Sequence, residues 1–151
     1  MPRPLITVAA VALVSAASAH AASLDHSVVI RLKSVSVSGS VKDRPPKGLS
    51  KGDVYSGRSR LLNVVPQFGK GAGVIVGSDV STLTLTSRTT GIVSGVAALP
   101  GGTLRFKGTG RVGSNDPIPV VGGTGRFAGV HGTLVSGSGN SPLNTYKLTL
   151  P

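Results

Sequence analysis

The most restrictive feature of this chain is the near absence of helix-forming periodicity beyond residue 22. No apolar stripe recurs at the i, i+3, i+4, i+7 spacing, and glycine, serine, threonine and valine dominate the sequence. Roughly eight or nine short runs with β-strand character alternate with turn signals. Because the chain offers no helix to cover a sheet face, its strands must close into a barrel or stack as a sandwich.

Side-chain alternation within these runs indicates which residues share a face. Leu104 and Phe106 point to one side of their run, and Arg105 and Lys107 point to the other. In the first run the parity of the apolar residues changes near Ser34, which predicts a β-bulge there. The basic segment after the first run contains two prolines and two glycines and is predicted to be a loop. The runs occupy residues 28–38, 53–63, 71–77, 81–87, 92–99, 103–112, 118–121, 130–136 and 143–150.

Residues 1–22 have the layout of a secretory signal peptide. Arg3 precedes an uncharged apolar run at 5–14, and small residues with two A-x-A cleavage patterns follow. The apolar run is shorter than the ~20 residues that span a bilayer, which favours cleavage over membrane anchoring. We therefore expect cleavage of 1–22, a single barrel domain at 23–151 with no transmembrane segment, and a secreted, periplasmic or cell-envelope location.

The chain is strongly basic, with 16 lysines and arginines against five acidic residues and a formal net charge of +11. Removal of Arg3 with the signal leaves 15 cations against five aspartates, or +10, and there is no glutamate. Such a field attracts anionic partners; the alternative is that it only keeps a glycine-rich domain soluble. Nucleic acid is disfavoured as a partner, because the basic loop at 42–52 holds no aromatic residue for base stacking and no DNA-reading motif occurs.

The segment "PVVGGTGRFAGVHGTLV" at 119–135 permits two incompatible interpretations. A strand followed by the glycine-rich turn at 122–125 suggests a phosphate-binding loop, which needs a helix directly after it and a further strand. Only 22 residues, 130–151, follow Gly129, and their glycines, β-branched residues and prolines exclude that helix. The glycines are therefore predicted to serve a strand-to-strand connection, with Phe127 turned into the interior. No cofactor is implied, and three scattered histidines without cysteine predict no metal site.

A resemblance to a known superfamily rests on this glycine motif and three further segments. "VVGGTGRFAGVHGTL" resembles the V-x-G-G-T/S-G-x-F/Y-x-G-x-x-G pattern of the allene oxide cyclase and dirigent barrel superfamily. "KGDVYSGRSRLLN" is similar to its G-D-x(5)-[ND]-[KR]-L segment, with Gly52, Asp53, Arg60 and Leu61 in register. "GTLRFKGTG" and "NTYKLTL" resemble two of its strands. The resemblance implies an all-β fold, an eight-stranded antiparallel closed barrel with a small apolar cavity.

The superfamily's characterised members are non-redox enzymes or chirality guides, so the resemblance also implies a class of function. It implies a cofactor-free isomerase, a cyclase-like enzyme or a dirigent-like protein that guides a reactive small molecule, apolar or carboxylate-bearing. The lack of glutamate, the scarcity of aromatic residues and Ser59 at the family's Asn/Asp position are departures. They leave open the alternative of a non-enzymatic barrel that binds an apolar or anionic ligand, or an anionic envelope surface. A homo-oligomer is compatible with either alternative.

Three residues of the second segment are candidate catalytic groups. Asp53 opens a strand, and with an arginine beside it in the cavity it would anchor a polar group or act as a weak acid or base. The alternative is an ordinary turn residue at a strand start. Arg58 and Arg60 share a face; inside the barrel they would bind a carboxylate through a bidentate fork, and outside it they would be solvated charges.

Five further residues are candidate ligand contacts. Asn144 and Tyr146 share one face of the last strand, where they would line the cavity or pack in the core. Ser59 takes the polar position of the second segment, and aromatic side chains near the cavity are expected from Tyr55 and Phe106. The predicted ligand site therefore consists of Tyr55, Ser59, Phe106, Asn144 and Tyr146.

Overall fold

Eight antiparallel strands form one closed barrel in the computed structural model, which describes residues 25–137 and 142–151. Each strand pairs with its neighbours along the chain, and β8 pairs with β1 to close the cylinder. This confirms the predicted all-β, eight-stranded closed barrel. The predicted signal peptide at 1–22 lies outside the described residues. The strands are β1 His26–Lys42, β2 Val54–Asn63, β3 Ile75–Leu85, β4 Thr90–Leu99, β5 Gly102–Arg111, β6 Ile118–Gly123, β7 His131–Ser136 and β8 Leu143–Leu150.

Two features of the strands differ from the sequence-based predictions. The runs predicted at 71–77 and 81–87 each contribute only a part to one strand, because β3 begins at Ile75, continues through Asp79, where it pairs with Ser59 of β2 and Ala97 of β4, and ends at Leu85. A bulge is present in β1, but the register against β2 shifts between Ser36 and Ser38 rather than at Ser34.

The side chains of the barrel interior alternate with exposed ones along much of the sheet, although the second half of β1 is exposed on both faces. Leu104 and Phe106 are buried while Arg105 between them is exposed, which confirms the predicted alternation. At the closing seam, Ile30 pairs with Tyr146 across β1 and β8. The apolar core consists of Ile30, Leu32, Leu61, Val76, Ala97, Leu99, Leu104, Phe106, Ile118, Val120, Phe127, Val130, Leu134, Tyr146 and Leu148.

The glycine motif connects β6 to β7 through a three-residue 3-10 helix, Gly125–Phe127. Gly125 has a φ of 60°, and a Cβ there would collide with the carbonyl oxygen of Gly101, so the backbone of the motif lies directly against the β4–β5 turn. The Arg126 amide donates to that same oxygen at 2.9 Å. Phe127 is buried as predicted, so the motif is a strand connection that turns an aromatic ring into the core.

Within residues 25–137 and 142–151, no helix has the length and apolar character required to cross a bilayer.

Candidate ligand-binding cavity

A cavity of about 300 Å³ extends into the barrel near the β5–β6 and β7–β8 connections. Its wall has two sides of different chemistry. The apolar side is formed by Val93, Phe106, Ile118 and Leu134, and the polar side by Ser34, Ser59, Asp79, Ser81, Ser136 and Asn144. A volume of this size is at the lower end of the range for small-molecule sites, so the cavity suits a compact ligand with one apolar and one polar face.

Asp79 is the one carboxylate among the inward-facing residues of the cavity wall, apart from the ion-paired Asp116 at its rim. Only 7% of Asp79 is exposed, and it lies opposite Ser59 across β2 and β3. Burial raises the pKa of the Asp79 carboxyl above its ordinary value of 3.8, while hydrogen bonds from Ser59 lower the pKa in part. A carboxyl with a raised pKa can donate a proton or a hydrogen bond to a ligand more readily than a solvated one.

The hydroxyl of Tyr146 is buried beside this cavity without a hydrogen-bond partner. Tyr146 is 0% exposed, and on β8 it follows Asn144 by two residues, on the same inward face. Burial raises the pKa of the Tyr146 hydroxyl, and the negative charge of Asp79 raises it further. A buried polar atom without a partner is destabilising, so the Tyr146 hydroxyl lowers the stability of the core near Asp79.

A short hydrogen bond fixes the amide of Asn144. The Ser136 hydroxyl donates to Asn144 Oδ1 at 2.7 Å across β7 and β8. This bond orients the amide, and it leaves both N–H groups of Asn144 and one lone pair of Oδ1 for other partners. Asn144 is 4% exposed and lines the cavity, so it offers donors to a ligand carbonyl or hydroxyl.

An ion pair holds the β5–β6 connection at the rim of the cavity. Arg111 Nε and Nη2 donate to the two carboxylate oxygens of Asp116 at 3.0 and 2.9 Å. The Arg111 amide also donates to Asp116, and the Ser114 hydroxyl donates to the Arg111 carbonyl oxygen. The guanidinium lowers the pKa of Asp116 far below its usual range. Asp116 therefore stays charged and paired, and it serves to hold the connection in place rather than to exchange protons.

Glycine at position 95 makes room for the apolar wall. Gly95 lies between Ser81 on β3 and Phe106 on β5. A Cβ at Gly95 would lie 2.7 Å from Phe106 Cε2 and 2.6 Å from the Val80 carbonyl oxygen. The Phe106 ring therefore occupies the space that any other residue's side chain would take.

The structure places the five predicted ligand residues in three different settings. Ser59, Phe106 and Asn144 line the cavity, and Tyr146 is buried next to them. Tyr55 is half-buried further along β2, opposite Leu83, and does not line this cavity. Their role in binding stays a prediction.

The three predicted catalytic residues are not brought together in the cavity. The Asp53 carboxylate accepts hydrogen bonds from the Arg44 amide at 2.8 Å, the Ser50 amide at 2.8 Å and the Ser50 hydroxyl at 3.0 Å. These bonds, the Arg44 amide foremost, lower the pKa of Asp53. Asp53 thus closes the basic loop, the alternative noted for a strand start. Arg58 and Arg60 are exposed on the outer wall, because they alternate with the inward-facing Ser59.

Asp79, the most chemically distinctive residue of the cavity, was not predicted from the sequence. It falls between the two runs predicted at 71–77 and 81–87, and the Gly-Ser-Asp sequence there is typical of a turn. The sequence nevertheless holds an indication of its position. Asp79 and Ser81 lie at the same alternate positions as Leu83 and Leu85, so they point to the same face of the strand. Reading the two runs as one strand would have turned Asp79 inward.

Groups that could hold a metal are not evident in the part of the chain that the structure describes. No set of three or more His, Cys, Asp or Glu side chains converges among residues 25–137 and 142–151.

The fold of this barrel is shared with several solved proteins. Pyocyanin demethylase matches with a TM-score of 0.67 and 19% identity, over 80% of this chain and 99% of its own. A pterocarpan synthase dirigent protein matches with a TM-score of 0.63 and 16% identity, over 83% of this chain and 84% of its own. A Diels–Alderase from Streptomyces koyangensis matches with a TM-score of 0.65 and 19% identity, over 83% of this chain and 63% of its own.

These similarities confirm, at the level of fold, the predicted likeness to allene oxide cyclase and dirigent-type barrels. Identities below 20% for these proteins show a shared fold and do not by themselves assign an activity. No protein-family model and no curated protein matches the sequence significantly.

Proposed function

We propose that this barrel binds a compact, largely apolar small molecule and guides its cyclisation, isomerisation or coupling without a cofactor. The observation that carries the proposal is the buried Asp79 carboxyl, which is placed in a cavity of about 300 Å³ with the unpartnered Tyr146 hydroxyl beside it. Buried ionisable groups are destabilising for a fold, and they concentrate where chemistry or binding uses them. The presence of cyclases, Diels–Alderases and a dirigent protein on this fold supports the same class.

In this proposal the apolar side of the cavity binds the ligand and the polar side donates hydrogen bonds to it. The wall of Phe106, Ile118 and Leu134 holds the apolar part of the ligand and excludes water. Asp79, in its protonated form, donates to a ligand oxygen or nitrogen at which negative charge develops, and Asn144 supplies further donors. Holding a flexible ligand in a folded conformation lowers the entropic part of the barrier to ring closure or coupling.

A second candidate function is ligand binding without catalysis. It is favoured by the other polar groups of the cavity, which are serine hydroxyls and one amide, together with the Arg111–Asp116 pair at the rim, whose charges are already satisfied by each other. In that case Asp79 and Asn144 recognise a polar group of the ligand, and no bond is made or broken. The outer wall offers the further alternative of binding an anionic envelope surface.

The decisive experiment is native mass spectrometry of the protein purified from its own host, compared with two variants. Ser81→Leu adds an apolar branch inside the cavity, whereas Thr84→Leu adds the same side chain on the opposite face of β3. A small molecule that remains bound to the wild type and to Thr84→Leu, but is lost from Ser81→Leu, supports the cavity as the binding site. Failure of every purification to retain a molecule, together with unchanged binding of the neutral probe N-phenyl-1-naphthylamine by Ser81→Leu, would contradict the proposal.

The variants Asp79→Asn and Tyr146→Phe distinguish an effect on catalysis from an effect on ligand binding. Once the molecule is identified, we expect Asp79→Asn to slow conversion of its precursor at least about tenfold, as for loss of a general acid or a strong donor. Conversion that proceeds at the same rate without protein would instead assign the barrel to binding alone.

A further inference from the structure

Five basic side chains form a continuous band on the outer wall of β8, β1 and β2. Each is exposed, and each alternates along its strand with a residue that faces the interior. The cationic band consists of Lys147, Arg31, Lys33, Arg60 and Arg58.

The strand register makes these side chains neighbours. Arg31 lies opposite Thr145, two residues from Lys147 on the same face of β8. Lys33 lies opposite Leu62, two residues from Arg60 on the same face of β2. Diagonal neighbours of this kind are about 7–8 Å apart at their backbones, within reach of long side chains. The band therefore presents one dense positive surface rather than scattered charges.

Negative side chains do not compensate the band in the part of the chain that the structure describes. Asp53 and Asp79 are buried, Asp116 is paired with Arg111 in the one salt bridge of those residues, and the other two aspartates lie beyond the ends of β1. Adjacent like charges on a sheet are destabilising. Five neighbouring cations without an acid are thus arranged for an anionic partner outside the molecule.

Exposed apolar side chains alternate with these cations. Val29 lies opposite Lys147 and is 52% exposed, and Leu143 lies opposite Lys33 and is 45% exposed. The band contains no aromatic residue on which a nucleic-acid base could stack. Cations interleaved with aliphatic side chains match a lipid surface, where anionic headgroups meet the charges and the acyl boundary accepts the apolar groups.

We propose that the cationic band is a docking surface for an anionic lipid bilayer, on which the barrel lies with β8, β1 and β2 toward the headgroups. None of the five band residues lines the cavity. The proposal is independent of the cavity's function.

The test is co-sedimentation with vesicles of phosphatidylcholine alone or of phosphatidylcholine with phosphatidylglycerol. The band variant carries Arg31→Gln, Lys33→Gln and Arg60→Gln. The matched control carries Arg88→Gln, Arg105→Gln and Lys107→Gln, which remove the same net charge from exposed positions elsewhere. Thermal unfolding of both variants verifies that they fold.

We expect the wild type to bind only the anionic vesicles, and to bind them less tightly as ionic strength rises. Each cation near an anionic surface contributes about a fivefold increase in partitioning, so the band variant should lose about two orders of magnitude while the control stays close to the wild type. Val29→Ser with Leu143→Ser should weaken vesicle binding further.

Three results would overturn the proposal. They are a wild type that does not bind anionic vesicles, an equal loss in the band variant and its control, and a single-stranded oligonucleotide that binds more tightly than vesicles and depends on the band. The last result would assign the band to nucleic acid.

Discussion

At the scale of single residues, the cavity is defined by Asp79, a buried aspartate that we expect to lower the stability of the fold. Asp79 is buried in the wall of the cavity, and Ser59 is its hydrogen-bonding neighbour. Tyr146 adds a buried hydroxyl without a partner. Two such groups side by side in a small barrel indicate that stability has been given up locally for binding or chemistry.

Asp79→Asn should therefore stabilise the protein at neutral pH. Because folding raises the pKa of Asp79, its contribution to stability is favourable in acid and is lost as the pH rises from 3.8 through the folded-state pKa. We expect the melting temperature of the variant to exceed that of the wild type by about 2–5 °C at pH 7, and the difference to vanish near pH 3. Differential scanning calorimetry over this range measures it, with the exposed Asp25→Asn as the control. A lower melting temperature at pH 7 would mean that the ionised carboxylate stabilises the fold.

At the scale of elements, two aspartates with similar local sequences occupy different environments. Asp53 stands in Gly-Asp-Val and Asp79 in Ser-Asp-Val, and both tripeptides are typical of a turn or a strand start. The loop at 42–52 folds back to give Asp53 three donors, whereas β2 and β4 enclose Asp79 from both sides. Sequence periodicity could predict which residues share a face of a strand and that β1 contains a bulge, but it could not decide which face turns inward or where the bulge lies. It could not predict Asp79, because strand pairing is decided by distant segments.

The loop closed by Asp53 should make the protein sensitive to acid. The pKa of Asp53 is lowered on folding, so its contribution is fully present above pH 3.8 and is lost as the pH falls through the folded-state pKa. We expect Asp53→Asn to lower the melting temperature by about 5 °C at pH 7 and to lose less stability than the wild type on further acidification. Asp43→Asn in the same exposed segment is the matched control, and equal melting curves for the two variants would disprove the role of Asp53.

Strand β4 depends on a glycine where a side chain is excluded by packing. In Gly95→Ala the new methyl group would meet the Phe106 ring and the Val80 carbonyl oxygen, so the ring must move toward the cavity. Overpacking of this kind costs about 1–3 kcal/mol. Gly57→Ala on β2 is the control, since its Cβ would meet only the Ser38 carbonyl oxygen at 3.7 Å. Chemical denaturation of both variants measures the difference, and a Gly95→Ala protein as stable as Gly57→Ala would contradict the account of the apolar wall.

At the scale of the whole molecule, charge is separated between the inside and the outside of the barrel. All 15 lysines and arginines of the described residues are exposed, whereas two of the five aspartates are buried and a third is held in an ion pair. The exposed surface therefore carries a larger excess of positive charge than the net charge of the chain indicates. The interior carries the groups suited to a small ligand, and the exterior carries those suited to an anionic surface.

This separation makes the stability of the barrel dependent on ionic strength. Repulsion between exposed cations opposes the compact state, and salt screens it over about 10 Å at 0.1 M. We expect the melting temperature to rise by a few degrees between about 10 mM and 150 mM sodium chloride, because the unfolded chain spreads the same charges apart. The variant with Arg31→Gln, Lys33→Gln and Arg60→Gln should melt higher at low salt and respond less to added salt. A melting temperature that falls with salt would mean that surface ion pairs outweigh the repulsion, which is incompatible with a wall on which cations outnumber free carboxylates.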